Sequence, residues 1–171
     1  LLLEISAAAD GDLPLPSTLQ LALSARLAGL SSASLAVMNA AALLGDTFDL
    51  RAVRGVVAEA KDGLEDGVRQ GLLVVEGHRG KFVHELIAEA LVDALPSGQR
   101  IDLHDRLCEQ LQECGAAATE IARQAVAAAV LDPERAARTA LLVANQYGSV
   151  FDWTEVIRWA DLGLGSLPGA L

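Results

Sequence analysis

The hydrophobic pattern changes from a strand-like run to a helical one near the middle of the chain. Residues 72–77 read LLVVEG and residues 81–83 read KFV, which predicts a β-hairpin with its turn at 78–80. From His84 onward, apolar positions recur at steps of three or four, as they do on one face of a helix that Pro96 then ends. The predicted stripe of this helix consists of His84, Ile87, Leu91 and Leu95.

The same helical period extends over most of the remaining sequence. Before the hairpin it predicts helices near 17–29, 33–44, 51–59 and 61–73, with a short extended segment at 48–50. After the hairpin it predicts helices that begin near Ser97, over 116–131, over 133–147 behind an N-cap at Asp132, and after an N-cap at Asp152. The last helix is expected to face inward with Trp153, Val156, Ile157, Ala160 and Leu164.

Helices followed by a two-stranded wing are the order of elements in a winged helix. We therefore expect an all-α fold with a small β-hairpin wing, in which a winged-helix domain precedes antiparallel helices. The expected divisions are 1–12, the end of a preceding helix and a linker; 13–95, the winged helix; and 96–171, a helical bundle that leads into repeats.

Composition narrows the function classes. Hydrophobic residues make up 52% of the chain and aromatic residues only 4%, so the core has to consist of alanine, leucine and valine. The net charge is −10, and the helix before the hairpin reads KDGLEDGVRQ, with three acidic residues. Nucleic-acid binding needs clustered basic residues, and the only basic group, at 78–81 on the hairpin, is small. We therefore expect no direct contact with nucleic acid.

The cysteine and hydropathy patterns indicate a cytoplasmic protein. Cys108 and Cys114 lie on different faces of one predicted helix, which favours thiols in a reducing compartment over a disulfide. No apolar run approaches the roughly 18 residues that a membrane span needs, and the first residues lack the basic region of a signal peptide. We expect no membrane contact, and we expect the chain to be a piece of a longer protein.

Common catalytic motifs do not fit the sequence. A phosphate-binding loop would place glycine at Val75 and serine or threonine at Phe82 around Lys81, so the chain should not hydrolyse ATP by itself. The pair His84-Glu85 begins a zinc-protease motif, but Ala88 occupies the position of the second ligand. The sequence therefore predicts no enzyme and no bound cofactor in this segment.

His104 and Cys108 share a helix face at a spacing of four residues, which could supply two ligands to a metal. No third or fourth ligand is evident nearby in the sequence. We therefore interpret the two side chains as a packing pair and expect no metal site.

Several motifs succeed one another as they do in a known family. Around the hairpin the sequence has Phe82-x-His84-x-Leu86-Ile87-x-Glu89-Ala90, then Leu95-Pro96-x3-Arg100-x2-Leu103-His104. Upstream it has Leu15-Pro16-Ser17 and Ala40-Ala41-Ala42-x-Leu44-Gly45-x2-Phe48-Asp49. This order resembles the winged-helix segment of STAND-class regulatory ATPases, and in particular bacterial transcriptional activators that join an AAA-type ATPase to helical repeats and a LuxR-type output domain. The end of the chain also resembles one tetratricopeptide unit.

The resemblance implies a role for His84. In STAND proteins that switch with nucleotide, a Met-His-Asp motif opens this winged-helix element, and its histidine contacts the β-phosphate of bound ADP. Val83-His84-Glu85 is similar to that triplet, with Val83 in place of methionine and Glu85 in place of aspartate. Phe82, Arg100 and His104 match family positions and are expected to be structural. From the residues alone, the alternative is a half-buried His84 that packs under the hairpin.

The sequence thus predicts a non-catalytic regulatory segment that relays the nucleotide state of an adjacent NTPase domain to a helical-repeat sensor. Its partners would be that domain, the following repeats of the same chain, and another protein, while ATP or ADP would bind elsewhere in the parent protein. The first alternative is a helical interaction scaffold without a nucleotide role. The second is a DNA-binding winged helix, which the acidic charge disfavours.

Overall fold

A computed structural model describes residues 25–169 and shows a mostly helical chain with one small antiparallel sheet. After a helical turn at 25–28, the elements are α1 (Ser32–Leu44), β1 (Thr47–Asp49), α2 (Leu50–Val56), α3 (Ala60–Arg69), β2 (Leu73–Glu76), β3 (Arg79–Phe82), α4 (Glu85–Ala94), α5 (Ser97–Glu113), α6 (Ala118–Ala127), α7 (Pro133–Gly148) and α8 (Trp153–Gly165). The expected helical class with a small hairpin is confirmed. Residues 1–12, the Leu15-Pro16-Ser17 motif and the start of the helix predicted near 17–29 lie outside the described residues.

Local sequence signals set several helix ends. The Ser31 side chain accepts a hydrogen bond from the Ser34 amide at 3.0 Å and so begins α1, while Gly45 ends it with a φ of 109°. Asp132 accepts from the Arg135 amide at 2.8 Å ahead of Pro133, the first residue of α7. The predicted N-cap at Asp132 is confirmed, and Asp152 caps α8 in the same way.

The sheet has three strands in the order β1-β3-β2, one more than the predicted hairpin. Phe48 pairs with Gly80, so the short extended segment before α2 joins the sheet beside β3. The predicted turn at 78–80 is wrong, because Arg79 is already paired with Glu76. The turn is shorter and lies at Gly77 and His78, where Gly77 takes the positive φ of 60° that glycine adopts without strain.

The main core lies between α1, the sheet and helices α2 to α5. It consists largely of alanine, leucine and valine, as the composition predicts, together with Phe48 and Phe82, whose ring centroids are 5.6 Å apart. Leu107 and Leu111 of α5 belong to the same core. Helix α5, which follows the Leu95-Pro96 turn, therefore packs on the core formed by the preceding elements.

Helices α5 to α8 follow one another as a stack in which each helix packs on the next. The predicted inward face of α8 is wrong at Trp153, Ile157 and Leu164, which are 61%, 61% and 55% exposed, whereas Val156 and Ala160 are partly buried as expected. Trp159 and Gly163 are the buried residues of α8, and a β-carbon at Gly163 would lie 3.2 Å from that of Ala140 on α7, which is closer than an ordinary contact. Apolar side chains are exposed on other helices as well: Leu35, Val68 and Leu141.

Among the helices of residues 25–169, none combines the length and the apolar character needed to cross a lipid bilayer.

Candidate functional site

His84 occupies the N-cap of α4, directly after the last strand of the sheet. Its backbone is extended, with φ −139° and ψ 135°, and its carbonyl accepts a hydrogen bond from the Ile87 amide at 3.0 Å. The imidazole makes no capping hydrogen bond to the helix, and the residue is exposed. The first turn of α4 thus begins with a histidine side chain on the protein surface.

Backbone hydrogen bonds join the two residues before His84 to two other segments of the chain. The Phe82 amide donates to the Asp46 carbonyl at 2.9 Å, and the Val83 amide donates to the Leu72 carbonyl at 3.0 Å. The Phe82 side chain is buried against Phe48. The buried Phe82 thus fixes the point at which the chain leaves the sheet.

The placement of His84 corrects one prediction. Ile87, Leu91 and Leu95 are buried as the stripe predicts, but His84 is exposed, so it is not part of the apolar face. The exposure of His84 also disfavours the alternative in which a half-buried histidine packs under the hairpin. An N-cap residue has extended rather than helical dihedral angles, so its side chain leaves the helical register of the residues that follow.

Val83 and Glu85 lie beside His84 and are exposed as well, so all three members of the predicted motif reach the surface. On the side of α4 that faces the end of α1 there is a shallow cleft of about 490 Å³ with a floor of Ala42, Ala88 and Val92. The acidic residues around this cleft are Asp46, Glu85, Glu89 and Asp93. The surroundings of the helix start are therefore strongly negative.

The other two predicted positions, Arg100 and His104, lie on α5, apart from the N-cap. His104 is partly buried, and its Nδ1 lies 2.5 Å from Oε1 of Gln124, which is 0% exposed on α6. The Gln124 amide nitrogen donates to the Leu43 carbonyl at 2.9 Å, and Arg123 donates to the Leu44 carbonyl at 3.1 Å. We call these five residues 43, 44, 104, 123 and 124 the polar joint.

Burial lowers the pKa of His104, and the charges of Arg100 and Arg123 lower it further, while the hydrogen bond to Gln124 acts in the opposite direction. The structural role expected for His104 stays a prediction. Gln124 was not predicted as a site residue, although it is a polar residue beside the apolar positions Ile121, Ala125 and Ala128 of α6. A polar residue in that place is a signal for a buried hydrogen bond.

Cys108 and the ion pair of Arg135 lie where α5, α6 and α7 pack together. Cys108 is buried against Ala125 and Ala136, and burial raises the pKa of its thiol, so it stays protonated. Beside it, Arg135 pairs with Asp105 of α5 and lies 3.7 Å from Asp132. Within residues 25–169, no group of three or more histidine, cysteine or carboxylate side chains is placed to hold a metal ion.

Comparisons with known proteins leave the chain without an assigned relative. No family model matches it, and neither the curated proteins nor the solved structures contain a significant match. The class that the fold defines is a mostly helical chain with a three-stranded antiparallel sheet.

Proposed function

We propose that this chain is a non-catalytic regulatory segment of a STAND-type ATPase that regulates transcription in the bacterial cytoplasm. In this proposal, α1 to α4 and the sheet form a winged helix that faces an adjacent NTPase domain. Helices α5 to α8 begin a helical-repeat sensor of the tetratricopeptide kind. The chain relays the nucleotide state of the NTPase domain to that sensor.

The observation that carries the proposal is the exposed His84 at the N-cap of α4. The first amides of a helix and its partial positive charge favour a phosphate group, and the imidazole adds one directional donor. The backbone before His84 is held by Asp46 and Leu72, so a phosphate that contacts the imidazole would be coupled to the position of the sheet. Glu85 and Glu89 oppose an anion here, so the NTPase domain would have to supply the compensating cations.

The test is the retention of ADP by the full-length protein, with and without His84→Ala. One hydrogen bond to a charged group contributes about 1.5–3 kcal/mol, so the variant should release ADP roughly tenfold to hundredfold faster. The matched control is His78→Ala, which removes an exposed histidine from the hairpin turn six residues away. Release can be followed with a fluorescent ADP analogue.

Equal release from the wild type and His84→Ala would overturn the nucleotide role, provided that His78→Ala also behaves as wild type. Faster release from both variants would indicate a general effect of the hairpin region rather than a contact of His84 with phosphate.

The exposed apolar side of α8 favours a second candidate function, a helical interaction scaffold. Phe151, Trp153 and Ile157 are 76%, 61% and 61% exposed, and the rings of Phe151 and Trp153 meet edge to face at 6.2 Å. Large exposed aromatic side chains that lie together are typical of protein interfaces.

A charged residue on the exposed side of α8 distinguishes the scaffold function from the nucleotide-relay function. Ile157→Glu should change the free energy of unfolding by no more than about 0.5 kcal/mol, because the side chain is on the surface. If the scaffold function is correct, this variant of the full-length protein weakens binding to its partner and leaves ADP release unchanged. A loss of stability of about 2 kcal/mol or more would mean that Ile157 is buried in the full-length protein.

A DNA-binding role receives little support. Helix α3, which precedes the hairpin, exposes Asp62 and Glu65, and the exposed Lys81 lies 3.9 Å from Asp46. A phosphate backbone would meet these carboxylates before any cluster of cations. Association with duplex DNA that strengthens steeply as salt is lowered would contradict this part of the proposal.

A further inference from the structure

Helix α6 supplies the polar groups that complete the end of α1. The last carbonyl groups of a helix have no partner within the helix and need donors from elsewhere. The Gly45 amide donates to the Ala42 carbonyl at 3.0 Å, whereas the next two carbonyl groups accept from Gln124 and Arg123. The polar joint therefore connects the core around the sheet to the helical stack through a helix end.

The hydrogen bonds of the polar joint determine which nitrogen of the His104 ring carries the proton. Because the Gln124 amide nitrogen donates to the Leu43 carbonyl, Oε1 is the atom that faces His104 and can only accept. Nδ1 of His104 must therefore carry a proton. In the neutral ring, Nε2 is then the unprotonated nitrogen and is the atom that gains a proton on acidification.

Two positively charged side chains act on the ring. Arg100 lies on the same helix as His104, and Arg123 lies on α6, while α1 presents the Leu43 and Leu44 carbonyl groups and no titratable side chain. Protonation of His104 would place a third positive charge in a partly buried site. The largest cost is the burial of that charge, which opening of the site to water would relieve. The hydrogen bond from Nδ1 to Gln124 survives protonation and offsets part of the cost.

We propose that the polar joint is a pH-sensitive connection, in which protonation of His104 loosens α6 from the end of α1. The lowered pKa of His104 agrees with this direction. Because the folded chain binds the proton more weakly than the unfolded chain, the contribution to the free energy of unfolding is complete above about pH 6.5 and declines as the pH falls below it. This pH dependence of the polar joint does not require a bound nucleotide.

The test is amide hydrogen exchange on the 171-residue chain at about pH 7 and about pH 5, corrected for the intrinsic effect of pH. Protection in the last turn of α1 and in α6 should fall about threefold or more at the lower pH, and it should fall less in α7 and α8. In parallel, ring ¹⁵N shifts should show a neutral His104 with the proton on Nδ1 near neutral pH.

His104→Gln separates titration from packing, because a glutamine amide can still donate to Gln124 but does not titrate. This variant should keep its protection at both pH values, whereas His84→Gln, at an exposed site, should lose it as the wild type does. An equal loss in His104→Gln and wild type would overturn the proposal. If His104→Gln fails to fold, the ring shifts decide, and a ring that titrates at or above about pH 6.5 would overturn it.

Discussion

The substitution Gln124→Leu is expected to lower the free energy of unfolding by about 3 kcal/mol. The change leaves the Leu43 carbonyl and the His104 Nδ1–H without their partner, in a place where Gln124 is completely buried. Each unsatisfied buried polar group costs about 1–3 kcal/mol, and the added apolar surface of leucine offsets part of the total. Urea denaturation followed by circular dichroism measures the loss.

The control for this prediction is Gln112→Leu, which makes the same change at an exposed position of α5. It should alter the free energy of unfolding by no more than about 0.5 kcal/mol. If both variants unfold at the same urea concentration, water reaches the polar joint and the side chain of Gln124 is not required there.

Gly63→Ala is expected to destabilise the chain by about 2 kcal/mol, although alanine is the better helix former by about 1 kcal/mol. Gly63 lies in α3, where the helix crosses α1. A β-carbon at this position would be 2.5 Å from Cγ2 of Val37 and 3.2 Å from Cα of Ser34, which is backbone and cannot rotate away. Thermal and urea unfolding of the purified chain measure the effect.

A control variant and a double variant test whether the effect of Gly63→Ala comes from its contact with α1. Gly98→Ala, in the first turn of α5, meets nothing within 4 Å and should be neutral or slightly stabilising. The double variant Gly63→Ala with Val37→Ala should lose less than the sum of the two single variants, because the smaller side chain removes the closest contact. A stabilised Gly63→Ala variant would show that α1 and α3 do not approach as closely as described.

These glycines illustrate what could not be predicted. From the sequence, Gly63 and Gly67 are weak points of a helix, because glycine has poor helix propensity. In the structure they are contact points, since a β-carbon at Gly67 would lie 2.8 Å from the Met38 sulfur. Helix propensity depends on the local chain, whereas the contact depends on a helix more than twenty residues away.

The candidate site was predicted in part. The sequence located His84 at the junction of a strand and a helix, and the structure has it there, at the N-cap. Its exposure was not predicted, because the periodicity that orders Ile87 and Leu91 does not hold at a residue with extended dihedral angles. Whether His84 contacts a nucleotide stays a prediction.

The amino-acid sequence alone predicted the helical class, the hairpin, the alanine- and leucine-rich core and the N-caps at Asp132 and Asp152. These features depend on residues within a few positions of one another, and side-chain periodicity and capping are local properties. Packing in three dimensions was needed to establish the third strand, the outward positions of α8 and the polar joint. Each of these depends on which distant surfaces meet, as when Gln124 reaches the carbonyl of Leu43, and the local sequence does not specify that pairing.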